Sequence, residues 1–320
     1  MRLRRRFDVF IWALAVGSAL PTAGGINAAR AATGEIRLGI LSIVDALPYI
    51  LITEKGLDRK HGFKFSTFPF QSALERDAAL QSGSADGALS DLITSTVMVS
   101  RQVDIAVAAL LLGAVGQEGP FYVLGSPKNG PKSLDELREV PIGISSNTII
   151  QYVTDRILQA RGFGGGDIKT IEVKKIFLRF QMLMAGKIRA ATLPDPLASL
   201  AIVLGARPLA HDIKENLSQS VTIFTGRAIR EKRPALRAYA RAYNEAVDAI
   251  NADPDSWKDL LVRKAHLPKA IVKTYKVIPF PRLQLPTRKQ VEDIFRWVKE
   301  KGLLKNPVTY DTLTTRVLLN

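Results

Sequence analysis

From Glu35 onward the chain alternates short apolar runs with amphipathic stretches, and a polar residue or two follows nearly every apolar run. Glu35-Ile-Arg-Leu-Gly-Ile-Leu41 alternates at first and then turns wholly apolar, the pattern of a strand entering a sheet covered on both faces. A helix from about Pro48 to Lys55 follows and stops at Gly56. The same alternation predicts a strand over Phe63–Phe68, a helix over Leu74, Ala78 and Leu80 ending at Gly83, and a short strand over Asp86–Leu89. A helix through Leu92, Ile93, Val97 and Met98 and a strand over Val103–Leu110 complete this first set. Strands alternating with short helices indicate βαβ units and a parallel sheet.

A turn rich in glycine (Gly113, Gly116, Gly119) leads to a strand at Phe121–Leu124, and Pro127, Gly130 and Pro131 then break the chain. Ser133-Leu-Asp-Glu136 has the spacing of a capping box, after which the pattern starts afresh. Apolar Pro141–Ile144 reads as a strand, Ser145 to Thr148 as a polar loop, and Ile149, Val153 and Ile157 as the stripe of a helix that closes at Gly162. Further strands are expected at Thr170–Val173, Ala190–Leu193 and Arg207–Ala210, with helices from about Leu178 to Ala185 and Asp195 to Leu204 between them. Leu80-Gln-Ser-Gly83 through Ala88 and Leu183-Met-Ala-Gly186 through Ala191 echo one another as helix end, glycine cap and buried strand, which supports two similar lobes. Val221–Thr225 is the last strand. Everything beyond reads as helical, with stripes at Leu236, Ala240, Tyr243, Val247 and Ile250 and at Val291, Ile294, Phe295 and Val298.

Composition changes this picture only at the N-terminus. The 320 residues, 47% hydrophobic and 23% charged, are ordinary globular material of a length that favours two lobes. Arg2, Arg4, Arg5 and Arg6, the apolar run Val9–Leu20 and Ala29-Arg-Ala31 are the three parts of a secretory signal peptide, so the mature protein is expected to start near Ala32 in the periplasm. Arg4-Arg5-Arg6-Phe7 also fits a loose twin-arginine pattern. The chain has no cysteine, hence no disulfide and no Cys to carry a lipid anchor. Net charge is +15, and the +4 of the signal (five Arg against Asp8) leaves +11 on the mature part. Those Lys and Arg residues are scattered, without interleaved aromatics or a basic helix, so no nucleic-acid partner is expected.

Candidate chemistry is sparse. His61, His211 and His266 have neither metal-ligand nor catalytic spacing, and Gly162, Gly164, Gly165 and Gly166 follow a helix, which suits a helix cap better than a dinucleotide loop. No metal and no cofactor are expected. What recurs is polarity just after each strand: Ser42 and Asp45, with Ile43 between them as a further candidate contact; Gln71 and Ser72; Ser90 and Asp91; Ser145, Ser146, Asn147 and Thr148; Arg179; and Asp195. In an open parallel sheet, ligands sit outside the carboxyl ends of the strands, where these residues would gather. For the loop at Ser145–Thr148 two readings stay open. It is an ordinary N-cap, or its free amides, hydroxyls and helix dipole hold an anion.

Ser42 to Leu51, Gly83-Ser-Ala-Asp-Gly-Ala-Leu-Ser-Asp91, Ile142-Gly-Ile-Ser-Ser-Asn-Thr-Ile149 and Leu193-Pro-Asp-Pro-Leu197 resemble the ABC-importer periplasmic solute-binding proteins of the nitrate, sulfonate, taurine and thiamine-precursor group. The resemblance implies a type 2 periplasmic-binding fold: two α/β lobes, each a mostly parallel sheet flanked by helices, with two crossover strands as hinge. On that pattern residues 1–31 are the signal, 32–120 the first lobe, 121–225 the second with crossovers at Phe121–Leu124 and Val221–Thr225, and 226–320 a return to the first lobe. It also implies a monomer that captures a small anionic solute and delivers it to a membrane permease and its ATPase, with no chemistry of its own. Ser145, Ser146 and Thr148 would hold the anion, Arg179 would add charge, and Ser42, Gln71, Ser90 and Asp91 would read the ligand from the first lobe. Two departures limit the transfer: the first loop lacks the aromatic, Asn and His features of pyrimidine-precursor binders, and Arg189 stands where the group often has an acid. The alternative is an enzyme on the same fold, of the thiamine-pyrimidine synthase or menaquinone-pathway kind.

Overall fold

The computed structural model describes residues 34–41, 43–114, 121–213 and 216–319. The signal segment and Ser42 lie outside them. Five strands and four helices build the first half: β1 (Glu35–Leu41), α1 (Leu47–Glu54), α2 (Leu57–Lys60), β2 (Lys64–Phe70), α3 (Ala73–Gln81), β3 (Gly87–Asp91), α4 (Leu92–Ser100), β4 (Ile105–Leu112) and β5 (Phe121–Gly125). The next run is α5 (Leu134–Leu137), β6 (Ile142–Ile144), α6 (Ile149–Gln159), β7 (Thr170–Glu172), α7 (Ile176–Met184), β8 (Ala190–Pro194), α8 (Leu197–Val203), β9 (Arg207–His211) and β10 (Ser220–Thr225). Helices α9 (Gly226–Glu231), α10 (Arg233–Ala252), α11 (Lys258–Lys264), α12 (Arg288–Glu300) and α13 (Tyr310–Leu313) follow.

The strands form two sheets, ordered β2-β1-β3-β10-β4 and β7-β6-β8-β5-β9. Each is mixed. In the first, β10 runs antiparallel to both neighbours while β2, β1 and β3 pair in parallel, and in the second β5 plays the same part between β8 and β9. This is the two-lobed α/β arrangement of the type 2 periplasmic-binding fold. Val221–Thr225, expected to close the second half as a crossover, is instead an interior strand of the first sheet, as Phe121–Leu124 is of the second.

Near the C-terminal end the structure departs from the expected helical tail. Residues 276–287 form no helix, because Pro279, Pro281 and Pro286 remove donors and fix backbone angles within a dozen positions. Helix α10 buries Leu236, Tyr239, Tyr243 and Val247 in one core with Ile36 and Leu38 of β1 and Leu51 of α1. A second core joins the two lobes: Ile93 and Val97 of α4, Val153 and Ile157 of α6, and Ile294 and Trp297 of α12 share it.

Candidate solute-binding cleft

The carboxyl ends of β1 and β2 face α7 and the loop after β8, and between them lies a cavity of about 650 Å³. Its walls are mostly apolar: Ile43 and Phe70 on one side, Ile176, Phe177, Leu178 and Leu200 on the other. Phe177 and Leu178 are 59% and 46% exposed, unusual for side chains of this size unless something covers them. Gln71 and Gln181 bring amides to opposite walls, and His266 and Pro268 close one end. Lys175 Nζ reaches across to Glu75 Oε1 of α3 at 3.6 Å.

A smaller recess of about 60 Å³ shares Leu41, Ile43, Pro194 and Asp195 with the cavity. Its lining combines apolar Leu41, Ile43, Leu89, Leu112, Phe121 and Ile149 with the polar side chains of Asp45, Arg76, Ser90, Asp91, Asp195 and Ser220. Each acid sits just beyond a strand and has local work. Asp91 caps α4, accepting from Thr94 N at 2.7 Å and Thr94 Oγ1 at 2.9 Å, and Asp195 Oδ1 accepts from Ser199 N at 3.0 Å and Ser199 Oγ at 2.6 Å. Asp45 lies in the 3-10 turn Val44–Ala46 and faces the Ser220 hydroxyl. Burial pushes the Asp45 carboxyl up to about 6 and raises those of Asp91 and Asp195 as well, since the low-dielectric wall disfavours their charge. Arg76 tempers Asp91, whereas among the described residues no cation offsets the burial of Asp45 or Asp195.

Arg76 itself is committed: Nη1 donates to Leu89 O at 2.8 Å, Nε donates to Asp77 Oδ1 at 2.9 Å, and Nη2 stands 2.8 Å from the same oxygen without hydrogen-bond alignment. Ser90 is 1% exposed, and its Oγ has no hydrogen-bond partner among the described residues. Tyr275, buried nearby, is held far above its ordinary value by burial and by the fields of Asp195 and Asp45.

The structure thus brings Ile43, Asp45, Gln71, Ser90, Asp91 and Asp195 to the cleft, and Ser42 lies outside the described residues. Ser72 is buried as the N-cap of α3, accepting from Glu75 N at 3.3 Å. Ser145, Ser146, Asn147 and Thr148 line neither space. Ser146 and Asn147 use donors locally: Ser146 N donates to Glu172 Oε2 at 3.0 Å and the Ser146 hydroxyl to the same oxygen, and Asn147 N donates to Gln151 Oε1 at 2.8 Å. Thr148 caps α6, accepting from Ile150 N at 3.2 Å and donating to Ser145 O at 2.8 Å. The cap reading of this loop is the one the geometry favours, because Glu172 of β7 supplies the anion from within the chain.

Arg179 is also away from the lining. It is fully buried, Nε donating to Thr192 O at 2.9 Å and Nη1 to Val173 O at 2.7 Å, and burial lowers its guanidinium to about 10. Arg76 and Arg179 are counterparts: each stands thirteen residues before the strand carbonyl it holds, and the caps Gly83 (φ +77) and Gly186 (φ +71) repeat the same left-handed turn. The repeat legible in the sequence is therefore a repeat of buried arginine clamps.

Sequence reasoning missed Phe70, Ile176, Phe177, Leu178 and Gln181. One signal was available. Ile176-Phe-Leu-Arg-Phe-Gln-Met-Leu-Met184 is apolar on more of its circumference than a helix on one sheet can bury.

The model of the NMT1-like family matches residues 29–262. A Brachyspira hyodysenteriae protein named as an ABC transporter periplasmic binding protein is 24% identical over 236 residues, 69% of this chain and 66% of that protein, just under two thirds of its length. The ligand-binding component of an ABC-type import system from Staphylococcus aureus, solved with zinc bound, matches with a TM-score of 0.75 at 18% identity over 89% of this chain and 97% of its own. The alkanesulfonate-binding protein SsuA from Xanthomonas axonopodis pv. citri, bound to MOPS, matches with a TM-score of 0.71 at 18% identity over 86% and 94%.

Proposed function

The chain belongs to the NMT1-like family, and from that membership and the cleft we propose that it is the periplasmic solute-binding component of an ABC importer. It captures a small organic solute between its lobes and delivers it to a membrane permease driven by an ATPase. The observation that carries this reading is the cavity of about 650 Å³ walled by both halves of the chain, which lies where open α/β sheets take ligands and is large enough for a small organic molecule. The similar proteins named for import and for alkanesulfonate support it. An anionic solute of the sulfonate kind is the class that this likeness suggests, and the groups lining the cleft bear on it separately. Export by the N-terminal segment and a monomeric, metal-free protein complete the proposal.

Thermal melts against a panel of small sulfonates, nitrate, carboxylates, amines and alcohols test it. A binding protein gains about 2.7 kcal/mol of stability at a ligand concentration a hundredfold above Kd, a shift of several degrees for at least one solute. A panel on which no solute moves the melt, with intact Met1 on protein recovered from the cytoplasm of a Gram-negative host, would overturn it.

A further inference from the structure

The recess and the cavity together describe one ligand more fully than either alone. Their shared wall at Ile43, Pro194 and Asp195 makes them a continuous space with an end of about 60 Å³ that carries charged side chains and an apolar body of about 650 Å³. The charged end holds three carboxylates, Asp45, Asp91 and Asp195, against one guanidinium. That guanidinium is spoken for by Asp77 and the Leu89 carbonyl, and Asp91 is spoken for by Thr94 and the field of Arg76. Asp45 and Asp195 line the recess with no cation acting on them among the described residues; Asp45 faces the Ser220 hydroxyl, and Asp195 Oδ1 is engaged by Ser199.

Independently, Ser90 presents a buried hydroxyl to the same recess with no protein partner among the described residues, and a buried polar atom of that kind is ordinarily satisfied. Among the described residues no three His, Cys, Asp or Glu are gathered closely enough to hold a metal ion, so the recess matches an organic cation better than a metal. Its neighbours Phe70, Phe177 and Leu178 offer ring faces and branched chains to whatever is attached.

Building on the importer reading, we infer that the solute is an amphipathic amine: a protonated ammonium head seated between Asp45 and Asp195 with Ser90 beside it, and an apolar, ring-sized body against Phe70, Phe177 and Leu178. Ser145–Thr148 line neither space, and the Arg76 guanidinium is paired with Asp77, so the carboxylates of the recess outnumber the cation that an anionic head would need.

Three probes with one body and different heads decide the matter by calorimetric titration of the wild-type protein: 2-phenylethylammonium, 2-phenylethanol and 2-phenylethanesulfonate. The ammonium is expected to bind at least about tenfold more tightly than the other two, because a charge-assisted hydrogen bond in a buried site is lost with each replacement. Asp45→Asn is expected to erase that preference, and a cooperative thermal melt of the variant excludes misfolding as the cause. Ser90→Ala should weaken the ammonium by a smaller factor. Tighter binding of the sulfonate, or an ammonium preference that survives Asp45→Asn, overturns the inference and leaves the importer reading standing. Heat from none of the three probes also overturns it, and the importer reading falls too only if the wider solute panel is silent.

Discussion

Asp45 sits where burial works against its charge, and that has a consequence for stability apart from any ligand. It faces the Ser220 hydroxyl, and its field reaches Tyr49 and Tyr275, with no cation among the described residues to offset the loss of water. A carboxyl raised to about 6 binds its proton more readily in the folded than in the unfolded chain. Ionising it therefore costs stability; the cost is fully present above about pH 6 and disappears as pH falls through the unfolded value near 3.8. Asp45→Asn is expected to stabilise the protein on the order of 2 kcal/mol at pH 7.5 and by little at pH 4, read as the difference between wild-type and variant urea curves at each pH. Arg179 makes the opposite case. Replacing it with Gln removes the buried partner of two carbonyls, so stability should drop by at least about 2 kcal/mol while solute affinity stays within twofold of wild type, roughly the scatter of such titrations. At this scale the sequence was half legible. The rule of a polar residue after each strand led to Asp45, Asp91 and Asp195, which line the recess, because helix caps and strand-end groups occupy the same positions; whether Arg179 turns toward solvent or into the core is decided by packing that no local pattern records.

Among the elements, the strands and most helices follow from periodicity, since a period of two or of 3.6 is imposed directly by which face is buried. The sheet in which β5 and β10 lie does not follow, because their apolar runs suit either sheet and only the long-range pairings choose between them. Helix α12 shows the same limit. Its stripe was legible, but not its partners: Trp297 Nε1 donates to Asp155 Oδ2 at 3.0 Å, Lys301 Nζ pairs with the same oxygen at 2.7 Å, and Tyr152 donates its hydroxyl proton to Asp293 Oδ2 at 2.7 Å. These bonds tie α6 of the second lobe to the C-terminal segment that packs on α4 of the first. Trp297→Phe keeps the ring and deletes the donor, and is expected to cost about 1–3 kcal/mol in denaturant unfolding, whereas Trp297→Ala should cost about 3–5 kcal/mol.

For the molecule as a whole, the account rests on two lobes that share a core on one side and enclose a solute on the other. The lobes share the core at α4, α6 and α12, and Lys175 and Glu75 lie on opposite rims of the opening. A solute touching both walls favours the closed arrangement by its differential affinity, so saturation should draw the lobes together. Small-angle scattering on the protein with and without a solute whose binding calorimetry has established tests this most directly. The account predicts a smaller radius of gyration at saturation and reversal on dialysis; an unchanged radius at full saturation would contradict it.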